Sequence, residues 1–291
     1  MQVIVHTGAH NTDEDRLMKC LLRNKQSLSE GGVAVPGPGK YRELLAQSFR
    51  AMSEGEPAAD AREVLLDAIL DDETADRMIL SNPFFFGAKR IAVIDGLLYP
   101  TAPERVAHLQ KLFSGDQVRV FLALRNPASF LPAVLGTTTP ATLKEVMGGR
   151  DPRELRWSET LNRIRATAPD VQLTVWCHED SPLIWGPIIR DMAGLQPGEK
   201  IVGAFDLLAE IMSSEGMQKF RAYLHQHPRL SESQKRDVTA VFLERFGIPE
   251  LLEEELDLPG WTDELVADMT EIYDADVERI QSSPGVSLIL P

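Results

Sequence analysis

The residues with the most chemistry in them gather at one turn near the start of the chain. Gln2-Val3-Ile4-Val5 runs into His6-Thr7-Gly8-Ala9-His10-Asn11-Thr12, and three carboxylates follow at once, Asp13, Glu14 and Asp15. A β-branched run, a glycine turn and an immediate helix form the arrangement with which α/β folds hold anions. Backbone N–H groups and the helix dipole both converge on such a turn. On that reading the backbone around Gly8, Asn11 and Thr12 would cradle a phosphate. The acids argue the other way. A carboxylate in a first helical turn is stabilised by the dipole by about 0.3–1 kcal/mol. Thr12 followed three residues later by Asp15 has the form of a capping box. The turn is therefore expected to fill its anion site with its own side chains. A third use, a divalent-cation site from His10, Asp13 and Asp15, is disfavoured because acids at adjacent helical positions splay apart, and no metal is assigned.

Other chemistry-bearing residues lie farther along. Arg125 ends an apolar run, Val118 to Leu124, at the place where α/β folds bind ligands. Its guanidinium suits a phosphate or carboxylate, and equally a salt bridge or carbonyl cap within the turn. Ser129 sits four residues beyond it and could share an anion or cap a helix. His178-Glu179-Asp180 reads as a solvated loop that caps the following helix, with an acid/base cluster as the alternative. Cys177 beside His178 invites a thiolate reading, but no third orienting group is in sight. His6 reads as a packed histidine at a strand end. Pro36-Gly37-Pro38-Gly39-Lys40 lacks the spacing of a phosphate loop and is expected to be a surface loop.

The elements that must position these residues follow from periodicity. Strands are expected over 2–6, 33–35, 78–81, 90–94, 118–124, 171–176 and, as an edge, 286–290. Helices are expected over 13–28, 40–51, 59–72, 102–113, 153–168 and 184–193, and the chain beyond Phe205 reads as helical until the last strand. Strands alternating with helices imply an α/β fold with a doubly wound, mostly parallel sheet and a helical C-terminal portion. Residues 1–200 would form the core and 201–291 the helical portion packed on it, one domain overall.

Composition narrows the function classes. The 291 residues carry 44 acidic and 30 basic side chains, a formal charge of −14. That balance argues against a nucleic-acid-binding surface, which needs clustered Lys and Arg. No apolar run approaches a membrane span. Cys20 and Cys177 make no disulfide framework, so a reducing, cytoplasmic setting is expected. Acids crowd the stretch from Glu244 to Glu278, including Glu253, Glu254, Glu255 and Asp257, with only Arg245 and Arg279 against them. This is expected to be the solvated face of packed helices, with a docking surface for a basic protein partner as the alternative.

Three stretches together resemble the bacterial sulfotransferase family, P-loop-like enzymes that use 3′-phosphoadenosine-5′-phosphosulfate (PAPS). The first is His6-Thr7-Gly8-Ala9-His10-Asn11-Thr12-Asp13-Glu14-Asp15. The second is Val120-Phe121-Leu122-Ala123-Leu124-Arg125-Asn126-Pro127, and the third runs from Leu173 through Cys177-His178-Glu179-Asp180 to Trp185. The resemblance implies a P-loop-like fold, a 5′-phosphate held by the backbone of residues 8–12, a 3′-phosphate gripped by Arg125, and His10 standing in as the cationic group or acting as base. It also marks departures. Asn11 stands where the family has a lysine, and Asp13-Glu14-Asp15 where it has Gly-Thr-Thr. Ala133 replaces a serine that shares the 3′-phosphate, with Ser129 as its possible substitute, and Pro83 stands where a general-base acid is expected. Removing one donor from a site of developing charge costs about 2.7–4 kcal/mol of barrier stabilisation, and here several are gone. The expectation is a sulfotransferase-like protein that has lost PAPS-dependent catalysis and serves a binding or interaction role. The alternative is an active enzyme moving a sulfuryl group from PAPS to a hydroxyl or amine of a saccharide-like or small-molecule acceptor. PAPS or 3′,5′-ADP is the cofactor if any nucleotide binding is kept.

Overall fold

A computed structural model describes residues 1–71, 73–136, 142–196, 198–252 and 258–291. Among the described residues there are eight strands: β1 (Gln2–His6), β2 (Val33–Ala34), β3 (Arg77–Ser81), β4 (Val93–Ile94), β5 (Leu97–Leu98), β6 (Gln117–Leu124), β7 (Gln172–Cys177) and β8 (Val286–Ile289). Six of them form one sheet in the order β2-β3-β1-β6-β7-β8, with every neighbouring pair parallel. The fold is α/β with a helical C-terminal region, and its parallel sheet is consistent with a P-loop-like fold.

Both faces of the sheet are covered, which is why the strands read as unbroken apolar runs. Val3, Val5, Met78, Leu80, Val120 and Leu122 point into one core. Ile4, Ile79, Phe121, Ala123 and Trp176, from the alternate positions, point into the other. The helices Arg16–Arg23 and Ser181–Ala193 cover the second face. The first is covered by Arg42–Glu54, Ala102–Leu112, Pro127–Leu135, Trp157–Thr167 and Asp263–Gln281. Leaving β1 the chain crosses one face, and leaving β6 it crosses the other. The carboxyl ends of these two adjacent strands therefore flank a switch point, the usual crevice for ligands in open α/β sheets.

Beyond residue 200 the chain does two things. Helices Asp206–Ile211, Ser214–Gln226 and Glu232–Phe246 enclose a small core of their own around Leu208, Met212, Met217 and Phe220. The chain then returns to the sheet, where Asp263–Gln281 packs on the first face and β8 joins the edge. Among the acids of this region, Asp276 is buried at 2% exposure. It accepts from Ser158 N at 3.0 Å and Ser158 Oγ at 2.5 Å, so it caps a neighbouring helix rather than facing solvent. Glu253, Glu254, Glu255 and Asp257 lie outside the described residues.

Several elements depart from the sequence reading for identifiable reasons. The first helix begins at Arg16, not 13, because Asn11, Glu14 and Asp15 have φ of 57°, 48° and 63° and are left-handed. It also breaks at Asn24, whose Nδ2 donates to the carbonyls of Cys20 (2.8 Å) and Val202 (2.9 Å), and a short helix, Lys25–Glu30, follows. The strand expected over 90–94 is a 3₁₀ turn, Lys89–Ile91, and then the β4–β5 hairpin. Asp95 and Gly96 carry the two positive φ values, 50° and 69°, that a tight two-residue hairpin requires. Arg125-Asn126-Pro127 does not merely turn. It opens the helix Pro127–Leu135.

Candidate functional site

The first turn is tied to both neighbouring strands. Thr7 N donates to Phe121 O (3.0 Å) and Ala9 N to Ala123 O (3.2 Å), and Ala123 N donates back to Gly8 O (2.7 Å). Pairing with β6 thus continues past the end of β1. Gly8 has φ of 100°, and a Cβ there would stand 3.3 Å from the Pro83 carbonyl. Glycine is needed at this position, and Pro83 packs onto the turn itself.

His10 is drawn away from solvent. Tyr99 Oη accepts from the His10 backbone N–H (2.9 Å) and lies 2.7 Å from Nδ1, while Nε2 is 3.1 Å from Gly87 O. A carbonyl can only accept, so Nε2 carries the ring proton and donates to Gly87 O, and Nδ1 of the neutral ring accepts from the Tyr99 O–H. The ring stacks on Tyr99 with centroids 5.6 Å apart. Burial holds its pKa down at about 4. At neutral pH His10 is uncharged with both nitrogens occupied, so in this arrangement it brings no positive charge to the turn. His6 is wholly buried, with Nδ1 at 2.9 Å from Ser81 Oγ and its ring stacked on Trp176. Desolvation lowers its pKa as well.

The acids do not form the expected cap. Thr12 Oγ1 donates backwards to Ala9 O (2.7 Å). Asp13 is the residue that serves the helix, its Oδ2 accepting from Leu17 N at 3.2 Å. Asp15 turns outward to Arg42, with Nη2–Oδ1 at 2.5 Å and Nη1–Oδ2 at 3.2 Å. Arg42 in turn donates from Nε to Ser81 O (2.9 Å), fastening the turn to the end of β3. The capping box over Thr12 and Asp15 is thus replaced by one cap and one long-range ion pair. The reason is the left-handed backbone at Glu14 and Asp15, which carries Asp15 off the helix axis. His10, Asp13 and Asp15 each go to separate partners. Among the described residues no group of three or more His, Cys, Asp or Glu side chains could hold a metal ion.

Arg125 comes to this turn from the end of β6. It is buried at 6% exposure. Nη1 donates to Asn11 O at 2.6 Å and Nε to Ser129 Oγ at 3.0 Å. Asn11, Arg125 and Ser129 therefore meet through the hydrogen bonds of Arg125, while Gly8 O accepts from Ala123 N and Thr12 Oγ1 donates to Ala9 O. The neighbouring loop holds a residue with a role the sequence did not disclose. Glu179 is exposed as a residue, yet both of its oxygens turn onto protein donors, Oε1 to Asn126 N (2.8 Å) and Oε2 to Tyr273 Oη (3.2 Å). Asn126 also donates to Thr270 Oγ1 (2.9 Å). This network fixes Asp263–Gln281 over the carboxyl ends of β6 and β7, and the position of Glu179 directly after a strand was the signal for it. Burial pushes the Cys177 thiol up to about 11, which leaves it protonated and inert at neutral pH.

Four buried polar atoms around the turn and the helix beside it have no hydrogen-bond partner: His6 Nε2, Asn11 Oδ1, Asp13 Oδ1 and Trp185 Nε1. The recess next to the turn, lined by Asp13, Trp176, Ser181 and Trp185, measures about 10 Å³. That is room for about one water-sized group. A much larger cleft of about 630 Å³ lies at the opposite end of the sheet, beside Gln2, Asp76 and Arg77. It is remote from every residue of the turn. Among the described residues no helix is long and apolar enough to cross a membrane. No family model matches the chain, and no curated protein matches it.

Proposed function

We propose that this chain is a sulfotransferase-like protein whose donor-nucleotide site is closed and which acts by binding rather than by sulfuryl transfer. One observation carries the reading: Arg125 Nη1 donates to Asn11 O at 2.6 Å. In the resemblance, Arg125 would grip the 3′-phosphate of PAPS and the turn around Asn11 the 5′-phosphate. Here those two halves hold each other. A donor nucleotide would need this bond broken and the recess of about 10 Å³ opened to the several hundred that ligand sites of that class occupy. Sulfuryl transfer also needs positive charge at the leaving phosphate, and the neutral Asn11 and His10 supply none. Two buried free cysteines suit a reducing cytoplasmic setting. The exposed acids of the C-terminal helices, Asp263 and Glu264 among them, would offer a basic protein partner an electrostatic surface.

The other reading, active transfer from PAPS, draws support from the placement of Arg125 at the switch point beside β1. Thermal unfolding with 3′,5′-ADP separates the two, since a ligand raises stability by RT ln(1 + [L]/Kd). The closed-site reading expects no shift at millimolar 3′,5′-ADP. A saturable shift that disappears in Arg125→Ala would overturn it in favour of a working donor site.

A further inference from the structure

A cleft of about 590 Å³ opens between the helices Arg16–Arg23, Ser181–Ala193 and Asp206–Ile211. Its size falls in the range of small-molecule sites, about 300–1,000 Å³. Its walls include Leu22, Trp185 and Leu207. Four of the charged groups at its rim are paired, Arg16 with Glu210 at 2.7 Å and Arg23 with Asp206, and Lys19 stands beside them. Arg16, Trp185 and Leu207 also line the recess of about 10 Å³ beside the first turn, so the outer cleft and the recess share a wall.

Two buried groups of opposite kind line that recess. Asp13 is 5% exposed and Trp185 4%. Asp13 Oδ1, an acceptor, and Trp185 Nε1, a donor, are both without partners. A buried donor or acceptor left unmade is costly, so such a pair calls for one group that can serve both. A hydroxyl does this, accepting from the indole N–H and donating to the carboxyl oxygen. An ammonium can only donate, and a carboxylate or phosphate only accepts. The recess holds one such group and nothing larger, while the cleft outside has apolar walls for the body that carries it.

We propose that the cleft and recess form a binding site for a small alcohol, with its hydroxyl between Asp13 and Trp185 and its apolar body against Leu22, Trp185 and Leu207. The site does not rest on the donor-site reading of the turn, since it uses neither Arg125 nor a nucleotide. The test uses the full chain labelled with ¹⁵N at its tryptophan indoles, with the Trp185 signal assigned by its loss in Trp185→Phe. Benzyl alcohol is expected to move that signal saturably. Toluene, which has the same body without the hydroxyl, should bind at least tenfold more weakly, and benzylamine no more tightly than the alcohol. Asp13→Asn keeps the oxygen that caps Leu17 and turns the other position into a donor, and it should lose at least tenfold in alcohol affinity. If that variant does not fold, the ligand series on the unmodified protein decides alone. An unmoved Trp185 signal, toluene binding as tightly as the alcohol, or benzylamine binding tenfold more tightly would overturn the proposal. So would a bound water at the indole that benzyl alcohol does not displace.

Discussion

Two neighbouring strands end a few ångströms apart in opposite ways. β6 leaves through Asn126 and Pro127, whose helix-starting chemistry is local, with Glu179 and Thr270 holding Asn126 in addition. The Asn126 side chain accepts from Ala128 N at 3.0 Å, and Pro127 takes the first helical position, where its missing N–H costs nothing. β1 leaves through a turn with three left-handed non-glycine residues and two unpartnered buried acceptors, Asn11 Oδ1 and Asp13 Oδ1. It is held instead from a distance, by Tyr99, Arg42 and Arg125. The first exit has a regular backbone with its own cap, and the second exists because the rest of the molecule over-determines it. Substitutions and pH should therefore act differently on the two.

The largest effect expected is on the β1 exit in acid. His10 is buried and neutral, with a pKa of about 4 against about 6.5 unfolded. Its folded pKa is depressed, so the stability it supports is complete above pH 6.5 and is lost as the pH falls toward 4. The full loss is about 3 kcal/mol, from 1.36 kcal/mol per unit. His6 is shifted in the same direction and adds to it. Urea unfolding at steps from pH 7 to pH 4.5 should show a slope that His10→Gln reduces by more than half a proton between pH 6 and pH 5. An unchanged slope would mean that the histidine is not held as the hydrogen bonds to Tyr99 and Gly87 imply.

Next comes the link between the two exits. Arg125→Ala removes two donated bonds from a buried guanidinium and orphans Asn11 O. With about 1.5–3 kcal/mol for a hydrogen bond to a charged group, a loss of about 2–3 kcal/mol is expected in the urea midpoint at constant m. If the loss stays under 0.5 kcal/mol, the bond does not close the turn, and the closed-site reading falls with it. Asn126→Ala is expected to cost about 1–2 kcal/mol, for the N-cap and the bond to Thr270 Oγ1. The effect should be nearly the same at pH 7 and pH 5, because the variant keeps the backbone N–H that Glu179 accepts.

The same contrast explains what the sequence disclosed. The parallel sheet was legible because its strands are buried on both faces and read as apolar runs ending at turn residues, as at Leu124-Arg125-Asn126 and Ser81-Asn82-Pro83. That Asn11 and Arg125 lie near each other was legible as well, since both stand just past the carboxyl ends of adjacent strands. Their partners were not. Capping rules place Thr12 over Asp15, yet Asp15 goes to Arg42, twenty-seven positions away, and His10 goes to Tyr99, eighty-nine away. Short-range chemistry sets the helix cap at the β6 exit, so reading that cap needed only the next two residues, while the bonds of Asn126 to Glu179 and Thr270 were out of reach. The helix after Pro127 escaped because its apolar run, Phe130 to Leu135, is buried all round and has no polar face to give a period.

The smallest effect is the one that separates the exits by sign. Glu14 is exposed, has φ of 48° and makes only a surface pair with Arg16 at 3.3 Å. A left-handed conformation costs a residue with a Cβ about 1–2 kcal/mol, and glycine nothing. Glycine also gains freedom in the unfolded chain, which offsets part of that, and the exposed ion pair is worth well under 1 kcal/mol. Glu14→Gly should therefore stabilise the protein by a few tenths of a kcal/mol, up to about 0.5, while leaving the acid-induced slope of His10 untouched. The corresponding change at the other exit, Asn126→Gly, should be close to neutral or slightly destabilising, because that residue already has φ of −50° and glycine is a tolerable cap. Differential scanning calorimetry of the two variants side by side reads the signs directly. If Glu14→Gly lowers the midpoint, the β1 exit carries no releasable strain at that residue, and its left-handed backbone is as much at rest as the regular cap beside it.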